Sequence, residues 1–303
     1  MPFELGLVHA PLTPFAGDQR IDFDLYGKML DFHLRHGADS LAVPMHVGES
    51  VSLPDAERRA LIRFAVERAG KRAPIIAHVS DAGTGIAAAL ARDAQAAGAA
   101  AVIATTPYYW TPPPAMIVEH FFQIGSAVDI PFFVFNAPED MAGSRINAAL
   151  GLKLIEKLPN FAGVVDSSLD WQFMIELLTD AAPIRPDFAL IAGNELMVSS
   201  GAIGARGMVS ALAIIAPRLM RQLYDLCRAE KFFEARALQE QAAALRQLVK
   251  PGGVAALKAA ARAMGRDCGN PRPPLLPLDA EAEKTLAMQV KALPAFADEP
   301  HGW

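Results

Sequence analysis

Short apolar runs of strand length recur along the chain, each followed by a longer stretch whose apolar residues fall at helical spacing. The runs are Leu5–Ala10, Ser40–Pro44, Pro74–Val79, Ala100–Thr105, Pro131–Phe135, Phe161–Val165, Phe188–Ala192 and Gly207–Ala211. Most are rich in β-branched or aromatic residues, the pattern of strands buried on both faces of a parallel sheet. Between them, Leu53-Pro54-Asp55-Ala56-Glu57-Arg58 opens a helix with a proline tolerated in the first turn and acids suited to an N-terminus. The LIRFAVERAGK that follows closes on Gly70. Gly85–Gly98, Glu119–Ala127, Ser144–Leu158 and Trp171–Ala181 fill later intervals in the same way.

Eight strand-then-helix units in about 230 residues, with no Pro/Ser linker between them, predict an α/β fold: a closed (β/α)8 TIM barrel. The runner-up, an open doubly wound sheet, would usually show a glycine-rich phosphate turn after its first strand, and HAPLTPF is not one. The strands stop near residue 228. Lys231–Val249, Val254–Met264 and Ala280–Lys291 read as three further helices, with GRDCGNPRPPLLPL between the last two. These segments are too short to enclose a core alone. The expected organisation is therefore a barrel over residues 1–228 with a C-terminal helical extension, 229–303, packed on it as one unit.

Composition narrows the function classes. Of 303 residues 52% are apolar and 20% charged, which excludes a disordered chain. A net charge of −5 and no dense basic cluster argue against nucleic acid as a partner. Cys227 and Cys268 lack CxxC spacing and read as buried or free thiols. No basic leader precedes an apolar core at the N-terminus, and AAGAAAVIATTPYYW breaks well short of membrane-spanning length. A cytoplasmic protein without a membrane partner is expected.

Chemistry in such a barrel sits at the C-terminal strand ends. Three histidines, His9, His46 and His78, fall at the ends of the first three strands. One reading is a general acid/base site, because imidazole titrates nearest neutral pH. Another is a divalent metal held by all three with Asp166, Glu195 or Asp81, although no compact HxH or HExxH spacing supports it. The alternative is histidines satisfied by backbone carbonyls or by the glutamate of GES. His33 and His36 share a helix with charged neighbours and are expected in solvent, and His120 is given no role. Asp166-Ser167-Ser168 is a good helix-capping sequence.

The segments LTPF, GESVSLPDAER, TTPYYW, FNAP, GVVDSS, GNE with GAIGARGMVSA, and RDCGNPRPPLLPL occur in order over about residues 5–278. In these the chain resembles the dihydrodipicolinate synthase/N-acetylneuraminate lyase family, the pyruvate-using class I aldolases. The resemblance implies a barrel, a small-molecule ligand, no cofactor and self-association as a homodimer or homotetramer. It also implies a Schiff-base lysine on strand six, within a motif like G-(I/V)-K-(D/E)-S-S. Here Gly163, Asp166, Ser167 and Ser168 match and the lysine position is Val165. None of the nine lysines, Lys28, Lys71, Lys153, Lys157, Lys231, Lys250, Lys258, Lys284 and Lys291, falls at a strand end.

The other departures follow the same direction. The relay tyrosine position of the family is Phe135. The threonines of its G-T-T-G-E loop are His46 and Val47, and its carboxylate-binding arginine position is Asp140. Tyr109, Gly48, Glu49, Asn136 and Pro138 remain. Imine chemistry is not expected from this set. The expected function is a repurposed non-imine lyase or hydratase acting on a small polar metabolite through His46 and Tyr109, with His78. Pro11, Gly48, Glu49, Phe135, Asn136, Val165, Asp166, Gly193 and Val209 would form its pocket. A non-catalytic binding or structural paralogue is the alternative. Tyr109 suits a site hydroxyl and a subunit contact equally, and Trp110 reads as packing.

Overall fold

The computed structural model describes residues 5–138 and 143–303. Eight parallel strands close into a barrel in chain order. They are β1 Leu7–His9, β2 Ser40–Val43, β3 Ile75–His78, β4 Ala101–Thr105, β5 Phe132–Asn136, β6 Phe161–Asp166, β7 Ala189–Ala192 and β8 Gly207–Ser210. Pairing of Val8 with Val209 closes the ring. Every border lies within two residues of the apolar run that predicts it. Strand six reaches one residue further than its apolar run, because Asp166 still pairs in register with Asn136.

The barrel helices are α1 Phe23–Arg35, α2 Asp55–Ala69, α3 Thr84–Ala96, α4 Pro114–Gly125, α5 Ala148–Lys157, α6 Trp171–Ala181, α7 Met197–Ala202 and α8 Pro217–Arg228. Their starts follow local chemistry. Asp22, Asn147 and Asp170 each accept a backbone N–H of the first turn. The predicted fourth helix begins at Glu119, yet α4 begins at Pro114, a residue whose missing N–H costs nothing in a first turn. Ser144–Ile146 stay outside α5 because Asn147 caps it, and the Ile146 N–H turns instead to Asn136 Oδ1. The helix after β6 is capped by Asp170, not by the Asp166 turn.

Register and alternation put Val8, Ala42, Ile76, Ile103, Phe133, Val165, Ile191 and Val209 on the inner barrel face. Between strands and helices, Phe121, Phe132, Phe161 and Phe188 form a chain of rings with centroids 5.2–6.1 Å apart. At Gly163 a Cβ would lie 2.2 Å from the Ala189 carbonyl oxygen, so only glycine lets β6 and β7 approach.

After α8 come α9 Phe232–Val249, α10 Gly253–Ala263 and α11 Ala280–Lys291. Cations tie these helices to the barrel. Lys258 of α10 is 1% exposed, and its Nζ lies 2.8 Å from Glu49 Oε1, which stands in the loop after β2. Arg246 of α9 meets Glu195 at 3.0 Å. Arg266, fully buried, donates to the carbonyls of Ile214 and Ile215 and lies over the Phe32 ring. Lys258 sits in an Ala-rich helix with no acidic residue of its own, and its burial is not evident in the sequence. Cys227 and Cys268 are buried free thiols. Among the described residues, no helix is long and apolar enough to cross a membrane.

Candidate functional site

A cavity of about 200 Å³ opens at the C-terminal mouth of the barrel. Ala10, Phe135, Gly193 and Val209 supply its barrel wall, and Met45, His46 and Val47 enter from the loop after β2. The opposite wall is the helical extension, through Arg246, Val249, Lys250, Gly253, Val254 and Leu257. Asn194, Glu195, Ala211 and Leu212 complete it.

His46 opens a single 3-10 turn, His46–Gly48, that carries it over the cavity. Its ring lies 6.0 Å from that of Phe135, at 24° to it. The turn is fixed from both ends. Thr13 Oγ1 donates to the Gly48 carbonyl at 2.6 Å, and Glu49 takes a left-handed φ of 60° while its N–H bonds the His46 carbonyl. The Glu49 carboxylate accepts from Lys258 and from the Arg272 N–H at 2.7 Å. Glu49 and Gly48 thus hold the loop from outside the cavity. Pro11 contributes only its carbonyl, 3.1 Å from where a Gly48 Cβ would sit.

The three strand-end histidines do not converge. His9 lies one position out of phase with Val8 and Ala10, so it leaves the barrel and meets α1, with its Nδ1 3.0 Å from His33 Nδ1. His78 does face inward, but its Nε2 is bonded to Ser80 Oγ at 2.7 Å and it does not line the cavity. Burial holds His78 at about 3, far below an ordinary imidazole, and the Arg58 charge adds to the effect. Among the described residues no group of three His, Cys, Asp or Glu side chains is placed to hold a metal. The metal arrangement of His9, His46 and His78 is therefore corrected, and His78 is removed from the catalytic set: it is buried, neutral and engaged. His33, expected in solvent, is fully buried because its face of α1 packs on β1, away from Arg35.

Tyr109 stands outside the cavity of the single chain. It is 96% exposed, with φ 84°, and lines no part of the cavity. Asn136 and Asp166 are buried beside the cavity rather than on it. Asn136 Nδ2 donates to Asp166 Oδ2 at 2.6 Å, and Ser168 donates to the same carboxylate through N–H and Oγ. Burial raises this carboxyl to about 6 despite those donors. Val165 pairs in register with Phe135 on the inner face but is fully buried and does not line the cavity. Asp140 lies outside the described residues.

Glu195, Arg246 and Lys250 carry charge into the wall, and Arg246 and Lys250 have no place in the sequence reading. They stand four residues apart at the end of one predicted helix, a spacing that shares a face. Only the docking of that helix shows what the face covers.

A closed parallel barrel with a largely apolar cavity at its C-terminal mouth is an enzyme-class architecture whose chemistry is set by loops and strand ends. The chain belongs to the Dihydrodipicolinate synthetase family, whose sequence signature matches residues 4–293. It is 31% identical over 295 residues to a 4-hydroxy-tetrahydrodipicolinate synthase of Caldicellulosiruptor saccharolyticus, covering 97% of each chain. The synthase of Azoarcus sp. is 32% identical over 275 residues, 90% of this chain and 92% of that one. Among solved structures, dihydrodipicolinate synthase from Bacillus anthracis superposes with a TM-score of 0.91 at 27% identity, covering 97% of this chain and 100% of that one.

Proposed function

We propose that this family member is a non-imine lyase or hydratase that acts on a small polar metabolite, with His46 as its proton-transfer group. The observation that supports this reading is the pairing of Phe135 with Val165 on the inner barrel face. By resemblance these are the positions of the family's relay tyrosine and imine-forming lysine. Among the described residues no strand carries a lysine. An imine needs an amine that attacks from the site. The Lys258 amine is committed to Glu49 and to the Asn270 carbonyl. Among the described residues His46 is the one imidazole on the cavity wall, and imidazole is the side chain most used for proton transfer. The reaction in the names of the curated relatives is accordingly not carried over.

Self-association as a dimer or tetramer belongs to the same reading, since a second copy would cover Tyr109 and the half-exposed Trp110. Sedimentation of the wild type against Tyr109→Ala and Trp110→Ala variants tests it. A purely binding barrel is the second reading. It is favoured by the commitment of Asp166 and Glu195 to structural hydrogen bonds.

The primary test has two parts. Borohydride reduction in the presence of pyruvate, followed by intact mass, is expected to leave the chain unmodified; a reduced pyruvate on any lysine would sink the non-imine reading. Turnover of a panel of small hydroxy, keto and unsaturated acids, followed by proton NMR, is expected to fall by about 10²-fold or more in His46→Gln. Full activity in that variant removes His46. Binding without turnover by the wild type establishes the second reading.

A further inference from the structure

The cavity wall carries one uncompensated positive charge. Arg246 and Lys250 both face the cavity from the end of α9 and the turn after it. Arg246 is occupied: its Nη1 lies 3.0 Å from Glu195 Oε2. The other oxygen of that carboxylate accepts from Ser210 Oγ and from the N–H groups of Ala211 and Leu212, at 2.9–3.1 Å. The two charges offset each other as a pair. Lys250 stands at the rim and, among the described residues, has no acidic partner. Around it the wall is largely apolar, through Phe135, Val209, Leu212, Val249 and Leu257.

A single cation at the edge of an apolar pocket selects a ligand with one negative charge and an apolar body. The few polar groups of such a pocket fix orientation, while the apolar wall supplies contact area. We infer that the ligand is a small carboxylic acid whose carboxylate is anchored by Lys250 and whose body lies against Phe135 and Val209, within reach of the His46 loop. The charge anchor is thus supplied by the helical extension rather than by a barrel strand. A ketone is not required for it. This inference rests on the non-covalent reading proposed above and adds the ligand class and its anchoring residue.

The test uses isobutyrate and benzoate, each paired with its neutral amide, titrated calorimetrically into the full chain. None of the four probes has a ketone or aldehyde, so none can form an imine, and the result reads Lys250 independently of the imine question. At least one acid is expected to bind, with its amide at least about tenfold weaker, since an ion pair near a protein surface outweighs a neutral contact by that margin. Lys250→Met should abolish the preference for the acid over its amide, and Lys250→Arg should preserve it to within about threefold. In His46→Gln, binding is expected to persist. Loss of turnover with retained binding in that variant separates His46 from the anchor. Failure of both acids to bind, equal binding of acid and amide by the wild type, or an unchanged preference in Lys250→Met would each overturn the assignment.

Discussion

Acidification is expected to unfold this protein well above the pH at which most carboxylates protonate. Four imidazoles are sealed in the interior. His9 faces His33 through their Nδ1 atoms, His78 is held by Ser80, and His120 by Thr84 Oγ1 at 2.8 Å. Burial holds His33 and His78 at about 3 and His120 at about 4, and it puts His9 well below the ordinary value. In the unfolded chain each titrates near 6.5. Between pH 6.5 and about 4 the unfolded state therefore binds up to four more protons than the folded one, and stability falls as pH falls. At pH 5 His33, His78 and His120 each cost roughly 2 kcal/mol relative to pH 7.5, about 6 kcal/mol together, and His9 adds to the loss.

Asp166 works in the opposite direction. Its carboxyl, raised to about 6, takes up a proton in the folded state first and returns roughly 1 kcal/mol at pH 5. Burial also raises Glu299, which adds to this opposition. The three rings and Asp166 together leave a net loss of about 5 kcal/mol, a large part of the 5–15 kcal/mol typical of a folded domain. Thermal unfolding at constant ionic strength should show the midpoint dropping by more than about 10 °C between pH 7.5 and 5. His33→Gln should shallow the dependence by about one proton. A midpoint constant to within about 2 °C over that range would refute the neutral burial of the four rings.

Three further outcomes follow from the packing. Lys258→Met strands the buried Glu49 carboxylate and is expected to cost about 3–5 kcal/mol in urea unfolding, with more than half recovered when Glu49→Leu is added. Gly163→Ala drives a methyl into the Ala189 carbonyl and should lower stability by more than about 3 kcal/mol or abolish soluble expression. If residues 1–228 and 229–303 form one unit, fluorescence and far-UV dichroism should report a single coincident transition; two separated transitions would show the extension melting alone.

The barrel was legible because its evidence is local. Strand-length apolar runs, a proline at a first turn and a glycine after a last turn each act within a few residues. The site was less legible, for reasons that differ by residue. His9 and His78 both end a strand, but side-chain parity sends His9 out to α1 and leaves His78 inward. The out-of-phase position of His9 against Val8 and Ala10 was a readable signal. His33 shares a helix with Arg35 but not a face. The burial of Lys258 and Arg266 could not be read because the groups they pair with, Glu49 and the Ile214 carbonyl, lie far away in the chain. Arg246 had no visible partner, and Lys250 no visible cavity, until α9 docked. Tyr109 belongs to a matching motif, yet its strained backbone turns it out to solvent.

The tie between the loop after β2 and the extension crosses 223 residues from Arg272 to Glu49. About a third of the cavity wall therefore does not exist until the last quarter of the chain has returned to the first fifth. Contacts that close so long a loop are costly in entropy and form late. A ligand that needs both walls can bind only the docked arrangement, so its affinity and the docking equilibrium are two readings of one free energy. Saturating ligand should slow amide exchange along α9 and α10. Any substitution that lowers the docked fraction should weaken the ligand by the factor by which that fraction falls, even if it touches nothing in the cavity.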